Sequence, residues 1–444
     1  MNIQKLFLAT FTVCVLFLFS VCDTPQTVPS PGIWGAELLL ETDDTGSVDP
    51  PQIVYDNNGK FIASWSQHDG TRDNGWICYY SPSTGWELPL LLETDDNGAA
   101  GTAVIAFNGS GRGFAVWPQS DGINYNVMCR QYIPETGWGA PLNIENYDDD
   151  SADSAKVAVD VAGNAFVVWL QKNGGRATIW SNHYNITTGW DGPVQISNAG
   201  LYIAGSAGIA CDKTGNAIAT WLQVDSAQGD IWTCRYDSST GWDAPEIIES
   251  NIPMSSGTPS IVSDGDDNMI VIWTQSNGTF SNCWTRRYIA GTGWTTAVKI
   301  DNNSGEAWRP VIAMNESGNA FAVWSQYDGI DYNIWANTFS PGSGWGTAQL
   351  IEFSDDGGAA FPDIACNNRG DAVAVWSYED EPYLNIYANQ YIKESGWGDA
   401  FLIESSDLGN AGLAKVACDS NKNAVAVWRQ YDGSRADIWA NSLK

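Results

Sequence analysis

Short apolar runs alternate with turn-forming residues along this chain, and the same order of runs returns eight times. In the sixth copy the first run is Pro310 to Met314, and Asn315-Glu316-Ser317-Gly318 then reverses the chain. An Asn or Asp followed by a glycine able to take positive φ is the chemistry of a tight hairpin. The second run, Ala320 to Trp324, places Ala320, Ala322 and Trp324 on one face and Phe321 and Val323 on the other. Both faces are apolar, so this strand is covered on two sides. A loop from Gln326 to Asp331 leads to a third strand, Asn333 to Phe339. The turn Pro341 to Gly344 leads to a fourth, Trp345 to Ile351. These are strands A, B, C and D of one unit.

Tryptophan marks the repeat. The one in strand B recurs as Trp65, Trp117, Trp169, Trp221, Trp273, Trp324, Trp376 and Trp428, at intervals of 52 residues with a single 51. A second series begins strand D, from Trp34 through Trp86 to Trp397, and a third lies in strand C, with Met128 and Tyr387 in two of its places. Four short strands per unit of this length are the pattern of a β-propeller blade. The two ends of the chain complement each other: the last copy stops after strand C, and residues 34–40 supply an orphan strand D. The chain is therefore expected to be all-β, an eight-bladed propeller closed by its N-terminal strand joining the last blade, with no exposed edge. In the alternative, a linear β-solenoid, that complementary trimming has no explanation.

The pattern Gly-Asn-Ala-x-Ala-x-Trp-x-Gln-x-Asp-Gly, followed by Asn-Ile-Trp-Ala-Asn and Thr-Gly-Trp, resembles the tandem repeat of a family of exported bacterial proteins and covers residues 34 to 444. More loosely, the units are similar to those of sialidase-like and fucose-lectin-like propellers. The Asp-x-x-Gly hairpin before a tryptophan resembles the sialidase Asp-box, with a different spacing.

The first residues change the picture of where the domain works. Lys5 and an apolar stretch from Leu6 to Phe19 read as an export signal over residues 1–21, too short for a membrane span. Ser20-Val21-Cys22 resembles a lipoprotein cleavage box, so Cys22 is a lipidation candidate, and residues 22–31 read as an anchor and proline-rich linker to a propeller over 32–444. The expected location is exported, either secreted, periplasmic or held to a membrane only through the lipid. Seven cysteines beyond Cys22 show no paired spacing and no CxxC, which points to buried free thiols. With 52 acidic residues against 21 basic ones the surface repels phosphate backbones, so nucleic acid is not an expected partner.

Successive antiparallel strands put the loops after B and after D on one face. The B-to-C loop carries Gln67/Asp69, Gln119/Asp121, Gln326/Asp328 and Gln430/Asp432; the D-to-A loop carries Glu41-Thr42-Asp43-Asp44, Glu93-Thr94-Asp95-Asp96, Asp148 to Asp150, and Glu352 with Asp355 and Asp356. These pairs are ligand candidates, although Asp-Gly is also turn chemistry and a buried glutamine can satisfy backbone. Trp308 stands outside all three tryptophan series, and with Arg309 it is the single best candidate for an exposed contact. The acidic loops could hold Ca²⁺, but no Asp-x-Asp-x-Asp-Gly loop is present, so no cofactor or metal is expected. His68 and His183 are the only histidines. An active site needs different residues on different blades, and these carboxylates recur with the repeat. The expectation is therefore a non-enzymatic, monomeric envelope or secreted propeller, acting as a protein-interaction scaffold or ligand-binding module on its acidic loop face. The alternative is a multivalent lectin-like carbohydrate binder; a sialidase-like glycoside hydrolase ranks third.

Overall fold

The computed structural model describes residues 32–444 except 43–44, 95–97, 146–149, 174–175, 199–202, 225–228, 250–256, 303–304, 354–356, 381 and 407–408. Cys22 and the leader and linker segments lie outside the described residues, as do Asp43, Asp44, Asp95, Asp96, Asp148, Asp149, Asp355 and Asp356. The described chain is an all-β, eight-bladed propeller: eight antiparallel sheets, seven built from consecutive strands A, B, C and D and the eighth from strands A, B and C with the N-terminal strand as D. In blade six these are Ala307–Met314, Ala320–Tyr327, Tyr332–Ser340, and an outer strand in two pieces, Gly344–Trp345 and Gln349–Leu350.

The ring closes as the complementary ends require. Leu38 and Leu39 pair with Ala440 and Trp439 of the last strand C, and Trp34 bridges Leu443. Backbone bonds Gly35 N–H to Ser442 O and Leu40 N–H to Ile438 O, both 2.9 Å, complete the eighth blade. Between blades the tryptophans of strand B form the core. All eight are fully buried, because a strand covered on both faces must fill the wedge between two sheets. The asparagine of the Ile-Trp-Ala-Asn motif ties neighbours together: Asn337 and Asn441 donate to Ile300 O at 3.0 Å and Ile403 O at 2.8 Å, on the preceding blades.

Strand D is not the continuous run that its apolar residues suggest. From Trp345 to Leu350 it advances five residues while its partner goes from Phe339 to Trp335, four, so one residue bulges out. Beyond the bulge the strand ends on an acid that turns inward. Glu352 Oε2 accepts the Ile334 N–H at 3.2 Å, and Glu145 and Glu249 do the same for Val127 and Ile231 at 3.2 Å. Glu41, Glu93 and Glu352, expected at the start of solvated acidic loops, are buried.

The carboxyl at the ring closure meets an acid where blade five has an amide. In blade five the acid Asp301 faces an amide, Asn282, at 3.4 Å. At the ring closure Glu41 faces Asp437, another carboxyl. Burial first, then the hydrogen bond and charge of Asp437, push Glu41 from its ordinary 4.5 to about 9, with Arg435 pulling the other way. The folded state therefore holds a proton that the unfolded state releases. That stabilisation is complete below pH 4.5 and is lost as pH rises toward 9. Asp437→Asn restores the carboxyl–amide pairing, so its melting temperature should fall less steeply over this range than that of the parent. Because burial remains, some slope persists. Equal slopes in thermal melts of the two proteins would contradict the closure pair.

Candidate ligand site at the channel mouth

The eight strands A line a central axis with a mouth at each end. One mouth, a cavity of about 260 Å³, is ringed by the A-to-B turns of all eight blades. Their acids and amides are occupied locally: Asp56 Oδ1 accepts the amides of Asn58 and Lys60 at 2.8 and 2.9 Å, and Asn315 and Asn367 hold their own turns in the same way. Cys211, Cys366 and Cys418 lie half-buried beside this mouth, and every described cysteine is a free thiol.

The opposite mouth, on the face of the B-to-C and D-to-A loops, is about 660 Å³ and is not symmetric. In blades three, four, six, seven and eight strand A bulges just before the mouth. At the bulge Ser154, Arg309, Phe361 and Leu413 adopt left-handed φ of 56°, 48°, 55° and 55°. Such φ values are sterically costly for residues with a Cβ, and three of the four, Arg309, Phe361 and Leu413, line the mouth. Blades one and two place Pro50 and Thr102 at this position. Only blades six, seven and eight offer a large side chain.

Arg309 lies against two rings, its guanidinium 4.5 Å from the Trp308 centroid and 4.6 Å from that of Phe361. The rings are 5.5 Å apart at an interplanar angle of 66°, edge to face, and Trp308 remains 39% exposed. Stacking fixes the plane of the guanidinium while leaving its N–H edge available. Among the described residues no carboxylate lies within ion-pair distance of Arg309, Arg429 or Lys156. Lys415 pairs with Asp363 at 2.9 Å. Lys156 and Lys415 come from strands A two residues beyond the bulge. Burial, with Lys415 as a like charge, lowers the pKa of Lys156. Near Arg429, blade one contributes Asp49, whose carboxyl is raised by burial and by Asp73, while Arg429 acts in the opposite direction. A second cavity of about 480 Å³ continues from the mouth between blades seven and eight. It shares Arg309, Phe361 and Leu413 with the mouth and adds Arg429, Tyr431 and Asn410.

The other sequence candidates have structural employment. Gln67, Gln119, Gln326 and Gln430 are buried, and each accepts the indole N–H of the tryptophan two residues earlier, at 3.3, 3.1, 2.9 and 3.0 Å. Their amides reach the D-to-A loop, as in Gln119 to Gly98 O at 3.0 Å and Gln430 to Ser406 O at 2.6 Å. No surface is left on them for a ligand. In blade seven Tyr378 replaces the glutamine, and the Trp376 indole N–H has no acceptor. Asp69, Asp121, Asp328 and Asp432 are turn caps: Asp328 Oδ1 accepts the amides of Ile330 and Asp331 at 2.8 and 3.1 Å, and such bonds lower the pKa values of all four. Gly329 follows with φ of 112°, which a β-carbon would strain. Gln326→Ala should cost about 1–3 kcal/mol by orphaning the buried indole. Binding at the mouth should survive. Denaturant unfolding beside a ligand titration checks both halves.

Among the described residues no group of three or more His, Cys, Asp or Glu is placed to hold a metal ion. No helix among them is long and apolar enough to cross a membrane.

No protein-family model matches the chain, and no curated protein matches it. Solved structures do. An ulvan lyase of a polysaccharide lyase family, bound to a GlcA–Rha3S saccharide, is similar at 10% identity and a TM-score of 0.50, over 85% of this chain and 97% of that one. A sialidase from Streptococcus pneumoniae is similar at 8% identity and a TM-score of 0.43, over 92% and 94%. An α-L-arabinanase from Penicillium chrysogenum, complexed with arabinobiose, is similar at 12% identity and a TM-score of 0.40, over 65% and 92%. The lyase likeness defines a shared propeller fold, and it corrects the expectation that the chain is not an enzyme. That expectation required near-equivalent blades to be unable to form an active site. The lyase shows that the fold accommodates one, and here the mouth differs from blade to blade, with Lys156, Arg309, Phe361 and Lys415 on four different blades.

Proposed function

We propose that this chain is a carbohydrate-active propeller whose saccharide site is the wide channel mouth. The observation that carries the reading is the Trp308–Arg309–Phe361 stack, a half-exposed ring beside a guanidinium whose donors have no carboxylate partner, opening on a cavity large enough for sugar rings. A flat ring covers the apolar face of a pyranose, and a fixed fork of N–H donors serves hydroxyl or acid oxygens. The ulvan lyase, solved with a bound saccharide, supports the reading at the level of the shared fold. Export through residues 1–21, with Cys22 as anchor, would bring the mouth to extracellular glycans.

The test is a panel of neutral and acidic polysaccharides. Binding is followed by calorimetry, and turnover by new reducing ends and by the ultraviolet absorbance of unsaturated sugar products. At least one glycan should bind the parent and bind Trp308→Ala at least about tenfold more weakly, the scale of a lost stacking contact. A panel with no binder would overturn the proposal.

A further inference from the structure

Resting on the saccharide reading, we infer that the ligand is an extended polyanionic glycan, laid from the rim of blade six across the mouth into the cleft between blades seven and eight, with its acidic groups on Arg309 and Arg429.

Shape argues for a polymer. Four rings follow one another toward the axis: Tyr327 to Tyr332 at 5.4 Å, Tyr332 to Trp308 at 6.3 Å, and Trp308 to Phe361 at 5.5 Å. Tyr327 and Trp308 are both exposed, and at the far end of the path Tyr431 is exposed as well. The mouth and the cleft share Arg309, Phe361 and Leu413, so they run into one another as one groove. A pocket for a single sugar would close around it. An open path of rings takes consecutive sugars of a chain.

Charge argues for a polyanion. Cations are outnumbered 21 to 52 in this sequence, yet Lys156, Arg309, Lys415 and Arg429 all border this groove. Position 429 shows the bias most plainly: its repeat equivalents are Ser66, Pro118, Leu170, Leu222, Thr274, Ser325 and Ser377, none of them charged. A neutral polymer covering Arg309 and Arg429 would strip water from two guanidinium groups and return no countercharge, which is costly. Uronate or sulfate groups along the chain supply that charge in the bidentate geometry arginine prefers. The acidic remainder of the surface repels the same polymer, confining it to the groove.

The experiment uses the full protein with polygalacturonate oligomers from disaccharide to octasaccharide. Their fully methyl-esterified twins are the neutral control, and chondroitin sulfate oligomers distinguish sulfate from carboxylate. Affinity should rise with length, the esters should bind at least about tenfold more weakly, and Arg429→Gln should erase most of that difference on long oligomers. Tyr327→Ala, a surface change that leaves the core intact, should remove the gain from length. Esters binding as tightly as acids, or affinity independent of length, would overturn the inference while the saccharide reading stood. Polyglutamate binding in place of every glycan would make the occupant an acidic protein segment and overturn both. No binding of any glycan would fall on the saccharide reading itself.

Discussion

A protein shortened to begin at Thr42 will not close its ring. The eighth blade then loses the pairing of Leu38 and Leu39 with Ala440 and Trp439, the bridge from Trp34 to Leu443, and the Glu41 carboxyl that accepts the Ile438 amide. Leu40, fully buried against Ile438 and neighbours from blades one and eight, goes with them. Its truncation alone would cost about 2–5 kcal/mol. The bare strand Ala436–Leu443 becomes an unpaired edge, which templates pairing between molecules. The expected outcome is a shortened protein that aggregates or melts more than about 10 °C below the parent, since even a few kcal/mol shift a midpoint by many degrees. A synthetic peptide spanning residues 32–42 should restore part of the loss when added back. A shortened protein that melts with the parent, measured by calorimetry at equal concentration, would show that the closure contributes little.

Arg309→Gly is expected to separate function from stability. At φ of 48° an arginine holds a conformation that costs about 1–2 kcal/mol for a residue with a Cβ and that glycine adopts freely. The guanidinium forms no ion pair within the described residues, so the fold loses only its stacking on Trp308 and Phe361, each worth about 0.5–1 kcal/mol at an exposed site. The variant should therefore melt within a few degrees of the parent, while saccharide affinity falls about 10- to 100-fold through loss of a charge-assisted donor set. A residue that merely completes the core would behave oppositely, with stability and binding falling together. Thermal melts and calorimetry on one preparation decide between them.

Much of the fold was legible because the chain repeats itself. Tryptophans at a fixed interval identify the buried face of strand B in every blade, and the orphan strand at residues 34–40 announces the closure. The bulge in strand D was not legible: Gly346 and Thr347 break the apolar alternation no more than a turn residue would, and the inward turn of Glu352 depends on which strand C amide the bulge leaves open. The glutamines show a signal that was available and unused. Trp324 and Gln326 are two residues apart on one strand and so share a face, which puts an amide oxygen beside a buried indole N–H.

The site was half legible. Trp308 and Arg309 stood out as breaks in the repeat. Phe361, Lys156, Lys415 and Arg429 did not, because each occupies a regular strand position whose meaning appears only with the register: Arg429 lies opposite Gly412 at the bulge of the eighth blade, as Ser325 lies opposite Trp308 in the sixth. Tabulating repeat position 309, rather than only position 308, would have found Phe361 and Leu413. Three of the acids expected on the loop face turn inward instead. Glu41, Glu93 and Glu352 turn into the blades, and the cations that border the mouth and the cleft come from strands A and B.

The measurement that bears most directly on the saccharide site is a crystal structure of residues 32–444 grown with an acidic oligosaccharide. The expected result is a sugar ring lying on Trp308, an acidic group within hydrogen-bonding distance of Arg309, and the chain continuing toward Arg429. An oligosaccharide seated on the B-to-C turns around Asp121 or Asp328, or at the opposite mouth beside Cys366 and Cys418, with the Arg309 stack vacant, would contradict it.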